Sequence, residues 1–296
     1  MKLSYFAKEF LSEKRQCIIR RQISENKRKD EIKLVSDNDN FKNLHLGERC
    51  FIIGNGPSIK TVDFHLLQNE ITFTVNQLSR LERFSQLKTN YHLWSDERFF
   101  HLNKDDEGDM ELLETMLKVK TGDNSPVVFY KTTAKEMIDS FDLNHMLKIE
   151  YYMDGPMGNH CSNIEYPLTR MMPIFSTCIH YAIVIAVYMG FKEIYLLGCD
   201  CTGIINTINS RISDSNHFEY AYEITDNEKK RMRKVSTESS IADEFMWYGN
   251  LLSTYGVLYD YARNHGCNLY NATVGSIIEN VPRVNLDDVL KQEKVD

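Results

Sequence analysis

The side chains of this chain that could do chemistry are mostly short and polar, and they stand directly after short apolar runs. Gly54-Asn55-Gly56-Pro57-Ser58 interrupts the run Arg49–Ile53, Asn76-Gln77 follows Ile71–Val75, and Ser95-Asp96-Glu97 closes the run that begins at Tyr91. Gly198-Cys199-Asp200 follows Glu193–Leu197, and Asn271-Ala272-Thr273 follows Asn268-Leu269-Tyr270. If each run is a strand of one parallel sheet, these groups converge at the carboxyl ends of the strands, where open α/β sheets bind ligands.

Gly54 to Ser58 carries the most information. The glycines allow a tight turn and close backbone approach to a ligand, and Ser58 is placed to cap a following helix whose N-terminus favours phosphate. The segment is not a Walker A loop, because no Gly-Lys-Ser/Thr follows, and Ile59 stands where G-x-G-x-x-G needs its third glycine. A glycine pair between strand and helix serves either as a plain turn or as a nucleotide cradle. With Asn76 and Ser95 at neighbouring strand ends, the cradle is favoured, and Gly198, Asp96 and Asp200 extend it. Asp200 is placed to bind a ribose hydroxyl, orient a loop or cap a turn.

Groups for proton transfer are fewer. His217 lies in a polar segment, where a loop can carry a titratable group over a site or merely expose it to solvent. His180 and His145 sit in helical patterns and read as packed or solvated. Asp37-Asn38-Asp39 spells D-x-D but precedes the first core strand, the wrong place for a metal bridging a nucleotide-sugar.

The elements that position these groups can be placed from periodicity. The runs at 49–53, 71–75, 91–95, 127–130, 149–153, 193–197 and 268–270 read as strands. Helical patterns cover 110–118, 132–140, 176–190 and 240–265, and another follows Ser58 through Leu66 and Leu67. Ser176 or Thr177 is placed to cap the helix that Gly190 ends. Residues 203–240 read as a polar, irregular lid. The sum is an α/β protein: a single Rossmann-like, open, mostly parallel sheet with helices on both faces and a small lid. Residues 1–45 form a basic helical arm and linker, and 46–296 a Rossmann-like domain with its lid at about 203–240, whose strand ends would hold a nucleotide.

The 296 residues, 42% hydrophobic and 26% charged, suit a folded globular chain rather than a disordered one. The net charge of −7 argues against a general nucleic-acid binder. It is unevenly spread, since residues 1–33 hold ten Lys/Arg against five Asp/Glu. That arm reads as a solvated helix, as an anionic-membrane contact using Phe6, Phe10, Leu11, Ile18 and Ile19, or as an oligomer contact. The basic run Lys229 to Lys234 reads as a solvated helix face or as a contact for an anionic acceptor or membrane. Seven cysteines without a C-x-x-C pair, no signal-like opening and no span-length apolar run point to a reduced, cytoplasmic protein.

Three segments carry a resemblance. Phe51 to Lys60 (FIIGNGPSIK), Phe73 to Gln77 (FTVNQ) and Met189 to Asp200 (MGFKEIYLLGCD) resemble bacterial lipo-oligosaccharide sialyltransferases, and equally a broader 6-hydroxymethylpterin pyrophosphokinase-like family found in surface-polysaccharide contexts. The resemblance implies that the Rossmann-like sheet is GT-A-like and that residues 46–296 are a nucleotide-sugar-binding catalytic domain. That domain would be a metal-independent glycosyltransferase with no cofactor beyond its nucleotide-activated donor, a CMP-linked acidic sugar such as sialic acid. Its acceptor would be a glycan or lipid-linked glycan, at the inner face of the cell membrane, and the enzyme a homo-oligomer. Gly54, Asn55, Gly56 and Ser58 would line the phosphates and sugar, Asn76 and Gln77 the nucleotide, and Ser176 and Thr177 the cytidine. Ser95 takes the place of an asparagine, and His217 would be the base. Cys201-Thr202-Gly203 stand where the sialyltransferases have leaving-group tyrosines, so Tyr220 or Tyr222 would serve from the lid. The alternatives are an ATP- and Mg-dependent pyrophosphokinase using Asp96, Glu97 and Asp200, and a non-catalytic nucleotide-binding scaffold.

Overall fold

The structure is a computed structural model that describes residues 13–157, 162–213, 220–235 and 239–291. Its centre is a seven-stranded sheet in which every pairing is parallel. The strands are β1 (Arg49–Ile53), β2 (Ile71–Val75), β3 (Tyr91–Trp94), β4 (Val127–Lys131), β5 (Lys148–Tyr152), β8 (Glu193–Leu197) and β9 (Asn268–Asn271). Two-residue strands β6 (Asp154–Gly155) and β7 (Met172–Pro173), which show no signal in the sequence, pair separately. The sheet order is β5-β4-β3-β2-β1-β8-β9, so the chain builds outward from β1 and then returns to lay β8 on the other side. The order reverses between β1 and β8, which is the topological switch point.

β1 shows why such strands are apolar throughout. Cys50 and Ile52 enter one core, Phe51 and Ile53 the other, because alternate side chains point to opposite faces and both faces are covered. The first core is closed by α5 (Cys178–Tyr188), buried on every side, and by the long α8 (Ile241–Asn264). Gly190 ends α5 with φ of 86°, the left-handed conformation that glycine adopts at little cost. The second face is covered largely by 3₁₀ turns, at Pro57–Thr61, Phe64–Leu67 and Glu82–Gln86. The helix expected after Ser58 is therefore not an α-helix. Pro57 fits the start of a short turn, and the i to i+3 bonding ends at Val62.

The remaining helices are α1 (Glu13–Lys27), α2 (Lys29–Val35), α3 (Glu107–Leu117), α4 (Lys135–Ser140), α6 (Gly203–Ser213), α7 (Asp226–Val235) and α9 (Leu286–Lys291). Two segments depart from the sequence reading. The expected arm and linker, residues 1–45, include the 3₁₀ turn Ser36–Phe41, whose buried Asn38 donates to the carbonyls of Tyr151 and Leu168. Residues 203–240, read as irregular, contain α6 and α7. Contacts also cross the expected boundary at residue 45: Cys17, Arg21 and Glu25 of α1 are buried, with Arg21 donating to the Glu165 carbonyl and Glu25 paired with Arg170. Ile18 is exposed and Ile19 half-buried, while Phe6, Phe10 and Leu11 lie outside the described residues. No helix among the described residues is long and apolar enough to cross a membrane.

Candidate functional site

The switch point is filled by protein. Gly54 N donates to Leu197 O and Gly56 N to Gly198 O, so the turns after β1 and β8 lie against each other. A Cβ on Gly54 would stand 2.5 Å from Gly198 O, and one on Gly56 would stand 1.9 Å from Asp200 Oδ2. Glycine is required here for turn-to-turn contact. Asp200 is buried, and its carboxylate accepts from Ser58 N at 3.0 Å and from Ser58 Oγ at 2.7 Å. Ser58 thus caps no α-helix, and Gly54, Gly56, Ser58, Gly198 and Asp200 form the floor behind the site.

The cavity lies beside that floor, over the ends of β2, β3 and β4, and encloses about 630 Å³. Of the residues expected to bind nucleotide, Asn55, Asn76, Gln77, Ser95, Asp96, Ser176 and Thr177 reach its wall. So do Tyr220 and Tyr222, whose rings stack 5.5 Å apart and 8° from parallel. His217 lies outside the described residues.

Each wall group has a local reason for its pose. Asn76 adopts φ of 44°, and the bonds holding it are specific. His92 Nε2 donates to its carbonyl at 2.9 Å, and its own Oδ1 accepts from Ser95 N at 3.2 Å. His92 is fully buried beside Thr74 Oγ1, and burial lowers its pKa to about 3, so the ring stays neutral. Asn55 Oδ1 is a buried acceptor without a hydrogen-bond partner among the described residues, and Asn55 O anchors the lid by accepting from Ala221 N at 3.0 Å. Thr177 is the N-cap of α5, which no side chain caps among the described residues, and Ser176, Thr177 and Cys178 at that helix start line the cavity.

Gln77, on the cavity wall, is also bonded to the lid. Its Nε2 donates to Glu228 Oε1 at 2.7 Å and its Oε1 accepts from Arg80. Glu228, buried on α7, also takes a two-pronged bond from Arg231, at 2.7 and 2.9 Å. This cluster latches α7 to the body, helped by Lys234 to Asp106. The basic run 229–234 is thus only partly a solvated face, since Arg231 is buried and Lys229 and Lys234 are paired.

Sequence reasoning missed one group entirely. Lys131 at the end of β4 pairs with Asp154 of β6 at 2.9 Å, and Tyr181 of α5 donates to the same Asp154 oxygen. The one signal was a charged residue ending an apolar strand. Among the described residues, every lining cation is paired: Arg98 with Asp96, Lys131 with Asp154 and Arg231 with Glu228. No group of three or more His, Cys, Asp or Glu able to hold a metal occurs among them. His180 is packed in the core and His145 is exposed beside Asp142.

No family model and no curated protein matches the chain. Among solved structures, the sialyltransferase CstII from Campylobacter jejuni, in complex with the substrate analogue cytidine-5'-monophosphate, is similar. The identity is 14% and the TM-score 0.45, over 84% of this chain and 88% of that one. At those values the likeness assigns no role to any residue here.

Proposed function

We propose that the chain is a glycosyltransferase that moves a sugar from a nucleotide donor to a glycan hydroxyl. One observation carries the reading: the uncapped start of α5 opens onto the same cavity wall as Asn55, Asn76 and the stacked Tyr220 and Tyr222. The N–H groups at a helix start suit a phosphate, and amide side chains suit a base or ribose. Burial raises the pKa of both phenols, so they stay protonated and suit the role of donors to a departing phosphate. His217 is proposed as the base, and the transfer as independent of metal.

The donor suggested by the motif resemblance is CMP-linked, with an acidic sugar. A lipid-linked acceptor fits a protein resting on an anionic membrane surface, and the exposed Lys14, Arg15 and Arg20 of α1 are available for that contact. The pyrophosphokinase alternative is less well supported, because Asp200 is committed to Ser58 and does not reach the cavity wall.

Thermal melting with CMP, CDP, UDP, GDP and ATP, each with and without Mg²⁺, tests the reading. A ligand at 100 times its Kd adds about 2.7 kcal/mol of stability. A shift with CMP, UDP or GDP, unchanged by EDTA, is expected. A shift with ATP plus Mg²⁺ alone would transfer the assignment to pyrophosphoryl transfer, and nucleotide binding without donor hydrolysis or transfer would indicate the scaffold.

A further inference from the structure

Resting on the glycosyltransferase reading, we propose that Lys131 and Asp154 form the subsite for the donor's sugar, and that they bind its hydroxyl groups as a matched donor and acceptor rather than attracting an anion.

Both side chains stand on the cavity wall, and each is more than nine-tenths buried, with exposures of 9% and 7%. Among the described residues, the contacts of the Asp154 carboxylate, from Lys131 Nζ and the Tyr181 hydroxyl, both fall on Oδ2. Oδ1 is left to accept from a ligand. Lys131 has three N–H bonds, of which Asp154 takes one, and Glu97 Oε1 is 3.7 Å away, beyond a hydrogen bond. A sugar hydroxyl both donates and accepts, so it can give its proton to Oδ1 while accepting from Nζ.

Charge argues against an anion at this point. The ammonium lies between two carboxylates, Asp154 and Glu97, and the neighbouring cation Arg98 is held by Asp96. A sugar carboxylate brought to Lys131 would meet more negative than positive charge. An uncharged hydroxylated face meets no such opposition.

The pair is also held in place from behind. Arg28 donates to the Asp154 carbonyl at 2.6 Å and is bound to Glu31, which accepts from the Thr132 hydroxyl at 2.5 Å. Three separate parts of the chain therefore fix one buried ion pair. Such a pair commonly gives no stability over an apolar replacement, which points to use rather than scaffolding.

The test is calorimetric titration of the full chain with CMP, UDP, CMP-sialic acid and UDP-glucose. The nucleotide-sugar of the correct base is expected to bind about 10-fold tighter than its nucleotide alone. Asp154→Asn and Lys131→Met should each remove that surplus while leaving the nucleotide Kd within about two-fold. Tyr181→Phe, a milder change that keeps both charges, should lower the surplus by a smaller factor.

An Asp154→Asn variant that binds CMP-sialic acid more tightly, beside a Lys131→Met variant that binds it less, overturns the proposal in favour of anion attraction. A surplus unchanged in whichever variants fold, or absent in the wild type, overturns it as well. Failure of every nucleotide to bind would instead remove the transferase reading, and this subsite with it.

Discussion

Asp200 and Ser58 are joined twice, through the Ser58 N–H at 3.0 Å and its hydroxyl at 2.7 Å, although 142 residues separate them. The two bonds tie the turn after β1 to the turn after β8 at the point where the strand order reverses. That crevice is where open α/β sheets usually receive a ligand. Here it is closed, and the cavity is displaced over β2 to β4, with Asn55 the one residue of the first turn that reaches its wall.

Asp200→Ala should therefore act on stability before it acts on binding. It removes two charge-assisted bonds and strands the Ser58 donors, at a cost of about 2–4 kcal/mol. Gly56→Ala should also destabilise, since its Cβ would stand 1.9 Å from Asp200 Oδ2. Because both changes concern the same contact, urea denaturation of the double variant should show less than the sum of the single losses. Strict additivity would mean that the turns do not bear on each other.

His92 makes a pH prediction with a definite sign. Its folded pKa is lowered to about 3, whereas the unfolded chain has the ordinary value near 6.5. Between those values the unfolded state binds a proton that the folded state refuses. Stability from this group is complete above about pH 6.5 and falls by about 1.4 kcal/mol per pH unit below it. Urea denaturation at pH 7, 5.5 and 4.5 should show a steeper decline in the wild type than in His92→Gln. Parallel declines would mean that the ring takes up a proton in the folded protein.

Much of this architecture was legible because buried parallel strands are apolar runs and the groups that follow them are small and polar. β1, β2, β3, β4 and β8 are such runs, whereas β5 carries Lys148 and Glu150 and β9 begins and ends in Asn, so those two edge strands are marked only by their remaining apolar residues. Ser240 with Asp243 forms the capping box that starts α8. What stayed hidden depends on contacts between distant residues. No local pattern shows that Asp200 is turned toward Ser58, that Gln77 latches Glu228, or that Lys131 meets Asp154. The lid read as irregular because Glu228, which anchors α7, stands among basic residues that resemble a solvated face. None of the readings of the arm (solvated helix, membrane contact or oligomer contact) packed it on its own domain, for a similar reason: its buried face includes the polar Arg21 and Glu25.

Glu228 tests the latch. Glu228→Ala leaves the buried Arg231 guanidinium without its partner and releases Gln77, so about 3–5 kcal/mol of local stability should be lost. Hydrogen exchange should rise through Asp226–Val235 while β1 and β2 remain protected. The paired replacement Glu228→Met with Arg231→Leu should restore much of the docking. Equal loss of protection in the lid and the sheet would show that α7 is part of the cooperative core.

The catalytic assignment separates two groups by what each changes. With His217 as base, kcat/KM should fall as the pH drops far enough to protonate it, and His217→Ala should abolish that limb and lower turnover by about 10² to 10⁴-fold. Tyr222→Phe removes a hydroxyl that burial keeps protonated, so it should lower kcat by about 10²-fold without removing the pH limb. Neither change should alter the nucleotide Kd, because neither group is assigned to ground-state binding. A His217→Ala enzyme that keeps its pH limb would place the base elsewhere. A Tyr222→Phe enzyme whose nucleotide affinity falls in step with its kcat would make the phenol a binding group instead of a donor to the leaving phosphate.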